Sequence, residues 1–203
     1  MIRYTLFLFG LLLLSPGLAA QDDYIRFKRL TINDGLSLSS VYHIYQDSKG
    51  FMWFGTEDGL NKYDGQSITV YGAHTDQHNL LADKWIELIY EDKAGIIWLG
   101  SKSGLTRYNP RTGNFTALKH DSSDLSTLSN DTITAIETDL RNEIWVGTFR
   151  GLNHVDRFSN EVQRVVPDDQ ELVGLTSRIS GFLNDKSGRF LIATLWVLYS
   201  YYR

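Results

Sequence analysis

The residues best equipped for chemistry fall in two short sets. One set precedes an aliphatic stretch and reads Ser40, Trp85, Thr132 and Arg178. The other follows a Trp-bearing stretch and reads Glu57-Asp58, Lys102-Ser103, Phe149-Arg150 and Leu195-Trp196. Aromatic rings offer faces on which a sugar stacks, and guanidinium or ammonium groups pair with carboxylates. Trp85, Phe149, Arg150, Arg178, Lys102 and Glu57 are therefore the candidate ligand-binding residues. Trp85 stands out, because a large aromatic takes a place held by a small polar residue in other copies. The competing reading is a solvated rim with Trp85 packed sideways.

Other chemistry is less well supplied. His74 and His78 have the spacing of zinc ligands on one helical face, but they sit in a polar linker with no Glu between them. Asp121-Ser-Ser-Asp124 and Asp168-Asp169 lack the glycine and spacing of a calcium loop and read as solvated turns. Glu57 and Asp58 are adjacent, so they point apart and make a poor acid–base pair. No nucleophile elbow, phosphate loop or kinase phrase occurs. The chain has no cysteine, which removes disulfides, thiolate ligands and a thiol nucleophile. The expectation is no catalytic residue, no metal and no cofactor. A net charge of −4 with no basic cluster argues against a nucleic-acid partner. Asn114-Phe-Thr116 and Asn130-Asp-Thr132 fit the glycosylation acceptor pattern, which matters only in a eukaryotic host.

The elements that must position the candidate residues are set by a repeat. Asp47-Ser-Lys-Gly50-Phe-Met-Trp53-Phe-Gly55-Thr56 returns from Asp92 to Ser101 and from Asp139 to Thr148, and in worn form from Asp185 to Thr194. The steps from Trp53 to Trp98 to Trp145 to Leu191 are 45, 47 and 46 residues. A strand-rich period of that length marks a propeller blade. Each unit reads as four short strands. The first carries aliphatics spaced by three and ends in Asp, which predicts a bulge or an early stop. Asp-x-x-Gly, or Asn142 in the third unit, makes a tight turn in which Asp caps backbone N–H groups. The second strand carries Trp and then a small residue; Trp53, Trp98 and Trp145 should pack between blades, and Gly55, Gly100 and Gly147 should admit a neighbouring backbone. Tyr63, Tyr108 and Tyr201 belong to the same packing.

The fold class is thus all-β, a β-propeller of four-stranded blades with about four repeats, and incomplete. The units run approximately over 36–71, 81–118, 128–166 and 174–203. A generic sandwich would not require one Trp-x-Gly phrase at constant spacing. If strands alternate in direction, both candidate sets point to one end of the propeller, near its channel. No helix of note is expected beyond the N-terminus. There, a short positive start, an apolar run over Tyr4–Leu14 and small residues before Gln21 read as a signal peptide over residues 1–20, too short to span a membrane. Residues 21–203 then form the exported part.

The phrase Asp-x-x-Gly-x-x-Trp-x-Gly-Thr-x-x-Gly-Leu-x-x-Tyr-Asp resembles the two-component regulator propeller repeat. The stretch Phe27-Lys-Arg-Leu-Thr-Ile-Asn-Asp34-Gly-Leu-Ser37 is similar to the usual opening of such a domain. The resemblance covers about residues 24 to 203, departing in the fourth unit at Leu191, Ala193 and Val197. It implies the periplasmic sensor region of a membrane-bound hybrid two-component receptor, with a small-molecule or carbohydrate ligand and a possible homodimer in the full receptor. The membrane would be reached only through C-terminal regions beyond this chain. It also implies a longer parent, so the chain reads as an N-terminal fragment with an exposed, aggregation-prone end blade. The output would be a histidine kinase, with a diguanylate cyclase as the alternative. An exported carbohydrate-active enzyme and a protein-interaction propeller are the remaining alternatives.

Overall fold

The computed structural model describes residues 27–72, 81–185 and 187–201. The signal segment expected over residues 1–20 and the His74/His78 linker lie outside the described residues. Among the described residues, fifteen strands form four antiparallel sheets, each ordered as it occurs in the chain. The first sheet holds β1 (Val41–Gln46), β2 (Met52–Thr56), β3 (Gly59–Tyr63) and β4 (Ile68–Tyr71). The second holds β5 (Leu88–Glu91), β6 (Ile97–Gly100), β7 (Leu105–Asn109) and β8 (Asn114–Leu118). The third holds β9 (Ile133–Thr138), β10 (Ile144–Thr148), β11 (Gly151–Val155) and β12 (Val162–Arg164). The fourth holds β13 (Ile179–Asn184), β14 (Phe190–Thr194) and β15 (Leu198–Tyr201). The innermost strands β1, β5, β9 and β13 lie successively beside one another, as blades of an incomplete propeller do.

The repeated phrase becomes one repeated lock. In the first unit Asp47 Oδ1 accepts from the backbone N–H of Lys49 (3.0 Å) and Phe51 (2.9 Å), while Oδ2 accepts from Trp53 Nε1 at 2.8 Å. The second unit repeats this with Ala94, Ile96 and Trp98 around Asp92. The third repeats it with Arg141, Glu143 and Trp145 around Asp139. One carboxylate thus shapes the β1–β2-type turn and fixes the indole rotamer of the following strand. Asn142 takes the left-handed place of glycine in this turn, at φ 64°. In the fourth unit Leu191 has no side-chain N–H to offer. Asp185 keeps the backbone bonds to Ser187 and Arg189 but turns its second oxygen to the Arg189 guanidinium and Ser187 hydroxyl.

Each indole then packs on the next blade. Trp53 is buried with Ile86, which precedes β5, and with Ile97, Leu99 and Tyr108 of the second sheet. Trp98 is buried with Ile133, Ile144 and Val146 of the third, and Trp145 with Phe190 and Ile192 of the fourth. The glycine two residues on is required by that contact. A Cβ on Gly55 would stand 2.6 Å from the Ile86 carbonyl oxygen, and one on Gly147 would stand 2.6 Å from Ile179 Cγ2. The close neighbour is backbone in the first case and an isoleucine side chain in the second. The expected bulge appears as a register shift in β1, β9 and β13, while β5, which starts only at Leu88, pairs with β6 without one.

Two 3-10 turns stand where sequence periodicity showed only linker. Ile32–Asp34 is closed by a reciprocal pair, in which Thr31 accepts from Asn33 N and Asp34 accepts from Thr31 N. Gln170–Thr176 starts at Asp169, whose side chain accepts from Glu171 N. Both are capped by side-chain oxygens, a signal independent of apolar spacing.

Candidate functional site

The rim loops are assembled by backbone bonds that cross blade boundaries. Gly59 N donates to Lys84 O and Ile86 N donates to Thr56 O, each at 2.9 Å. These two bonds bracket Trp85 of the second unit against Glu57-Asp58 of the first. Gly151 N donates to Ser177 O at 2.9 Å and sets Arg178 of the fourth unit beside Phe149-Arg150 of the third. The residue before each inner strand is therefore a neighbour of the previous unit's turn. Within each turn a hydroxyl fixes the backbone: Thr56, Ser101, Thr148 and Thr194 each donate to a carbonyl three residues on.

The structure draws five of the six candidate residues into contacts with rings or charges near them. Lys102 Nζ lies 4.1 Å from the Trp85 ring centroid and 3.2 Å from Glu87 Oε1. The Tyr42 ring sits 5.3 Å from Trp85, tilted by 59°. Tyr42 donates its hydroxyl to Glu57, whose carboxylate holds the phenol above its ordinary pKa. Tyr42, Glu57, Trp85, Glu87 and Lys102 thus form one cluster over the first two blades. Trp85 is half-buried and packed sideways in it, with its indole Nε1 enclosed and without a partner. At the other end of the array, the Arg178 guanidinium lies 5.8 Å from the Phe149 ring, and both residues are exposed. Arg150 is exposed next to this pair, and its backbone N–H bonds Thr148 Oγ1.

Tyr42 and Glu87 were not among the residues singled out from sequence. Tyr42 lies at the start of β1, where the bulge rotates it toward the rim, and no local pattern announces that rotation. A second missed feature is a buried polar knot. Ser37 N donates to Asn61 Oδ1 at 2.8 Å, Asn61 Nδ2 to Ser37 Oγ at 2.9 Å, and Ser37 Oγ meets Thr56 Oγ1 at 2.9 Å. Ser129, Asn153 and Thr148 repeat it. The signal was available as a Leu-Ser pair 16 residues before Trp53 and before Trp145.

The acidic turns have structural partners. Asp121 accepts from the N–H and hydroxyl of Ser123, and Asp124 from those of Ser126. Arg164 of β12 fills the space above this loop and donates to the carbonyls of Thr127 (2.7 Å), Asp121 (2.7 Å) and Asp124 (2.8 Å). The outer strand of the third blade is thereby tied to the linker that precedes it.

Comparisons with known proteins agree with this geometry. The family model described as two component regulator propeller matches residues 35–58. A 68-residue stretch, 34% of this chain, is 47% identical to Histidine kinase P4 of Formosa agariphila, of which it covers 5%. The extracellular domain of a putative hybrid two-component system from B. thetaiotaomicron superposes with a TM-score of 0.69 at 27% identity, over 82% of this chain and 24% of that one. Virginiamycin B lyase from Staphylococcus aureus, at 11% identity and a TM-score of 0.54 over 76% of this chain and 48% of that one, shares the fold alone. This chain therefore spans a small part of the relatives it matches in sequence. Repeat, lock and superposition agree: the chain is an incomplete propeller that carries a match to the two component regulator propeller model at residues 35–58 and is similar to part of the extracellular domain of a two-component system.

Proposed function

We propose that this chain is the periplasmic, ligand-sensing propeller segment of a membrane-bound two-component sensor histidine kinase. The observation that carries the reading is a division of labour along the repeat. Asp, Trp and Gly recur with the same contacts in three units, whereas the rim positions differ in every unit and present Trp85, Lys102, Phe149 and Arg178. A scaffold that repeats and a rim that does not is what recognition by a fixed fold requires. The similarity to Histidine kinase P4 supports the output, and the superposition on an extracellular domain supports export.

The ligand is a small molecule or carbohydrate held at the rim, chiefly through Phe149, Arg150 and Arg178, where ring and guanidinium surfaces are exposed. Sensing follows if the ligand binds two arrangements of the receptor with different affinity, since only that difference shifts their populations. In a homodimeric receptor the shift would be in packing between protomers. The chain itself carries no catalytic role in this reading.

The test begins with the coding sequence downstream of the Arg203 codon. A membrane span and a histidine kinase are the expected continuation. A GGDEF-type domain would replace the kinase with a diguanylate cyclase, and the absence of any output domain would overturn the sensor reading. In cells expressing the full receptor, Arg178→Ala combined with Phe149→Ala should abolish ligand-induced phosphotransfer and leave the receptor's abundance unchanged.

A further inference from the structure

Trp85 differs from the indoles of the repeat. Trp53, Trp98 and Trp145 each donate Nε1 to an aspartate and are buried between blades, whereas Trp85 stands half-buried at the rim with Nε1 enclosed and unpartnered. What it offers is a ring face. Lys102 Nζ lies 4.1 Å from the centre of that ring and 3.2 Å from Glu87 Oε1. The Tyr42 ring packs against the indole at 5.3 Å, and its hydroxyl donates to Glu57. That hydrogen bond is the first cause holding the Tyr42 phenol above its ordinary pKa, and the charges of Glu57 and Glu87 are both among the others. Both carboxylates therefore act on the same small space. An ammonium over an indole, beside a second ring and two carboxylates, is an arrangement that holds a cation.

The arrangement belongs to the first blade boundary alone. In the last two units the places of Trp85 and Glu87 hold Thr132 with Thr134 and Arg178 with Ser180, so neither carboxylate recurs there. The walls of the site are fixed by backbone bonds: Ile86 N donates to Thr56 O at 2.9 Å, and Glu87 N to Gly100 O at 3.0 Å. Lys102, by contrast, reaches the ring with a side chain that is 53% exposed, and an ion pair so open to water is weak.

We propose that Trp85, Tyr42, Glu57 and Glu87 form a binding site for the primary ammonium group of a ligand, and that Lys102 is its tethered competitor. The ligand class is read from the molecule itself, because a lysine ammonium already lies over the indole and meets Glu87. An incoming amine takes that place when Lys102 swings into water. A primary ammonium has N–H groups for Glu57 and Glu87. A quaternary ammonium has none, and an acidic group is repelled by both carboxylates. Two sources share the required chemistry, an amino sugar and an aliphatic polyamine. The competitor lowers apparent affinity by the fraction of molecules whose site is free, so it sets the concentration at which the ligand registers. The site lies on the proposed ligand-binding rim but does not rest on the sensing role. Binding is measured on this chain with no output, so its failure would leave that reading standing.

The test titrates the whole chain and its Lys102→Ala variant with cadaverine at constant ionic strength, with the Trp85 indole N–H resonance reporting the place of binding. Lys102→Ala should bind cadaverine about tenfold more tightly than the parent, because the competitor is gone, and the Trp85 resonance should move to saturation. Adding Glu87→Gln, which keeps the shape of the side chain and removes its charge, should weaken binding about tenfold at an unchanged melting temperature. Tetramethylammonium, which cannot donate a hydrogen bond, should bind about tenfold more weakly than cadaverine. Glucosamine binding at least as tightly as cadaverine would support the site and name an amino sugar; tighter binding of cadaverine would support it and name a polyamine. Equal affinity in parent and Lys102→Ala, a Trp85 resonance that stays still, or indifference to Glu87→Gln would overturn the proposal. So would N-acetylglucosamine, whose nitrogen is uncharged, binding as tightly as cadaverine.

Discussion

The first and third inter-blade contacts begin from the same phrase and end differently packed. At the first, Trp53 is fully enclosed, its indole bond to Asp47 is 2.8 Å, and Tyr71, Tyr108 and Phe115 close a lattice of rings beside it. At the third, Trp145 keeps 8% exposure, its bond to Asp139 lengthens to 3.3 Å, and an open groove stands where that lattice would be. The carboxylate lock therefore aims the indole, and the outer strand completes its burial. Orientation is decided within one hairpin; enclosure is decided by the neighbour.

Several substitutions would break or sharpen this contrast. Trp53→Ala should cost the most, about 4 kcal/mol by chemical denaturation, since a fully enclosed aromatic leaves a cavity. Trp145→Ala should cost about half of that, because one side of its ring is already unpacked; equal losses would contradict the role assigned to the outer strand. Gly147→Val should cost about 1–3 kcal/mol by forcing Ile179 away, while Ala193→Gly in the fourth unit should move the melting temperature far less.

The lock itself is probed by Asp47→Ala, which strands the Trp53 N–H and two turn N–H groups. A loss of about 1–3 kcal/mol is expected in urea unfolding. The equivalent Asp185→Ala should lose less, because that carboxylate serves an exposed guanidinium rather than an indole. Acid titration separates exposed from buried turns. The backbone N–H of Ser67, and then that of Gln66, lowers the Asp64 carboxyl to about 2, below the roughly 3.9 of an unfolded chain. Its stabilising effect is therefore full above about pH 4 and is lost as pH falls through about 2. Asp64→Asn should flatten the stability curve within that window, as read from melting temperatures. The smallest effect is expected at the rim: Lys102→Ala should stay within about 0.5 kcal/mol of the parent. A larger loss would mean that the Trp85 cluster is scaffold.

Much of the fold was legible because the repeat is long and its key residues act locally. Asp47, Gly50, Trp53 and Gly55 each do what their types and spacing suggest, and the strand set followed from them. The buried Ser37–Asn61–Thr56 knot was not read, since its members lie 19 and 24 residues apart and look like ordinary polar linker. At the rim, the shared end of the two loop sets followed from strand alternation. The partners did not: Lys102 on Trp85, Arg178 on Phe149 and Tyr42 on Glu57 depend on a bulge and on bonds across blade boundaries. The residue before an inner strand meets the previous unit's turn only once the blades have docked.

The separation between Asp47 and Trp53 has a consequence for how the chain reaches its structure. A separation of six residues encloses the carboxylate, the turn it caps and the indole it holds, so closing that loop costs little chain entropy. Each of the first three hairpins can form before it meets another. Docking then joins elements whose most demanding side chain already points the right way, and blade assembly becomes a sequence of nearest-neighbour steps. The fourth hairpin, where Leu191 stands in place of the indole, lacks that early fixing and should be the last to order.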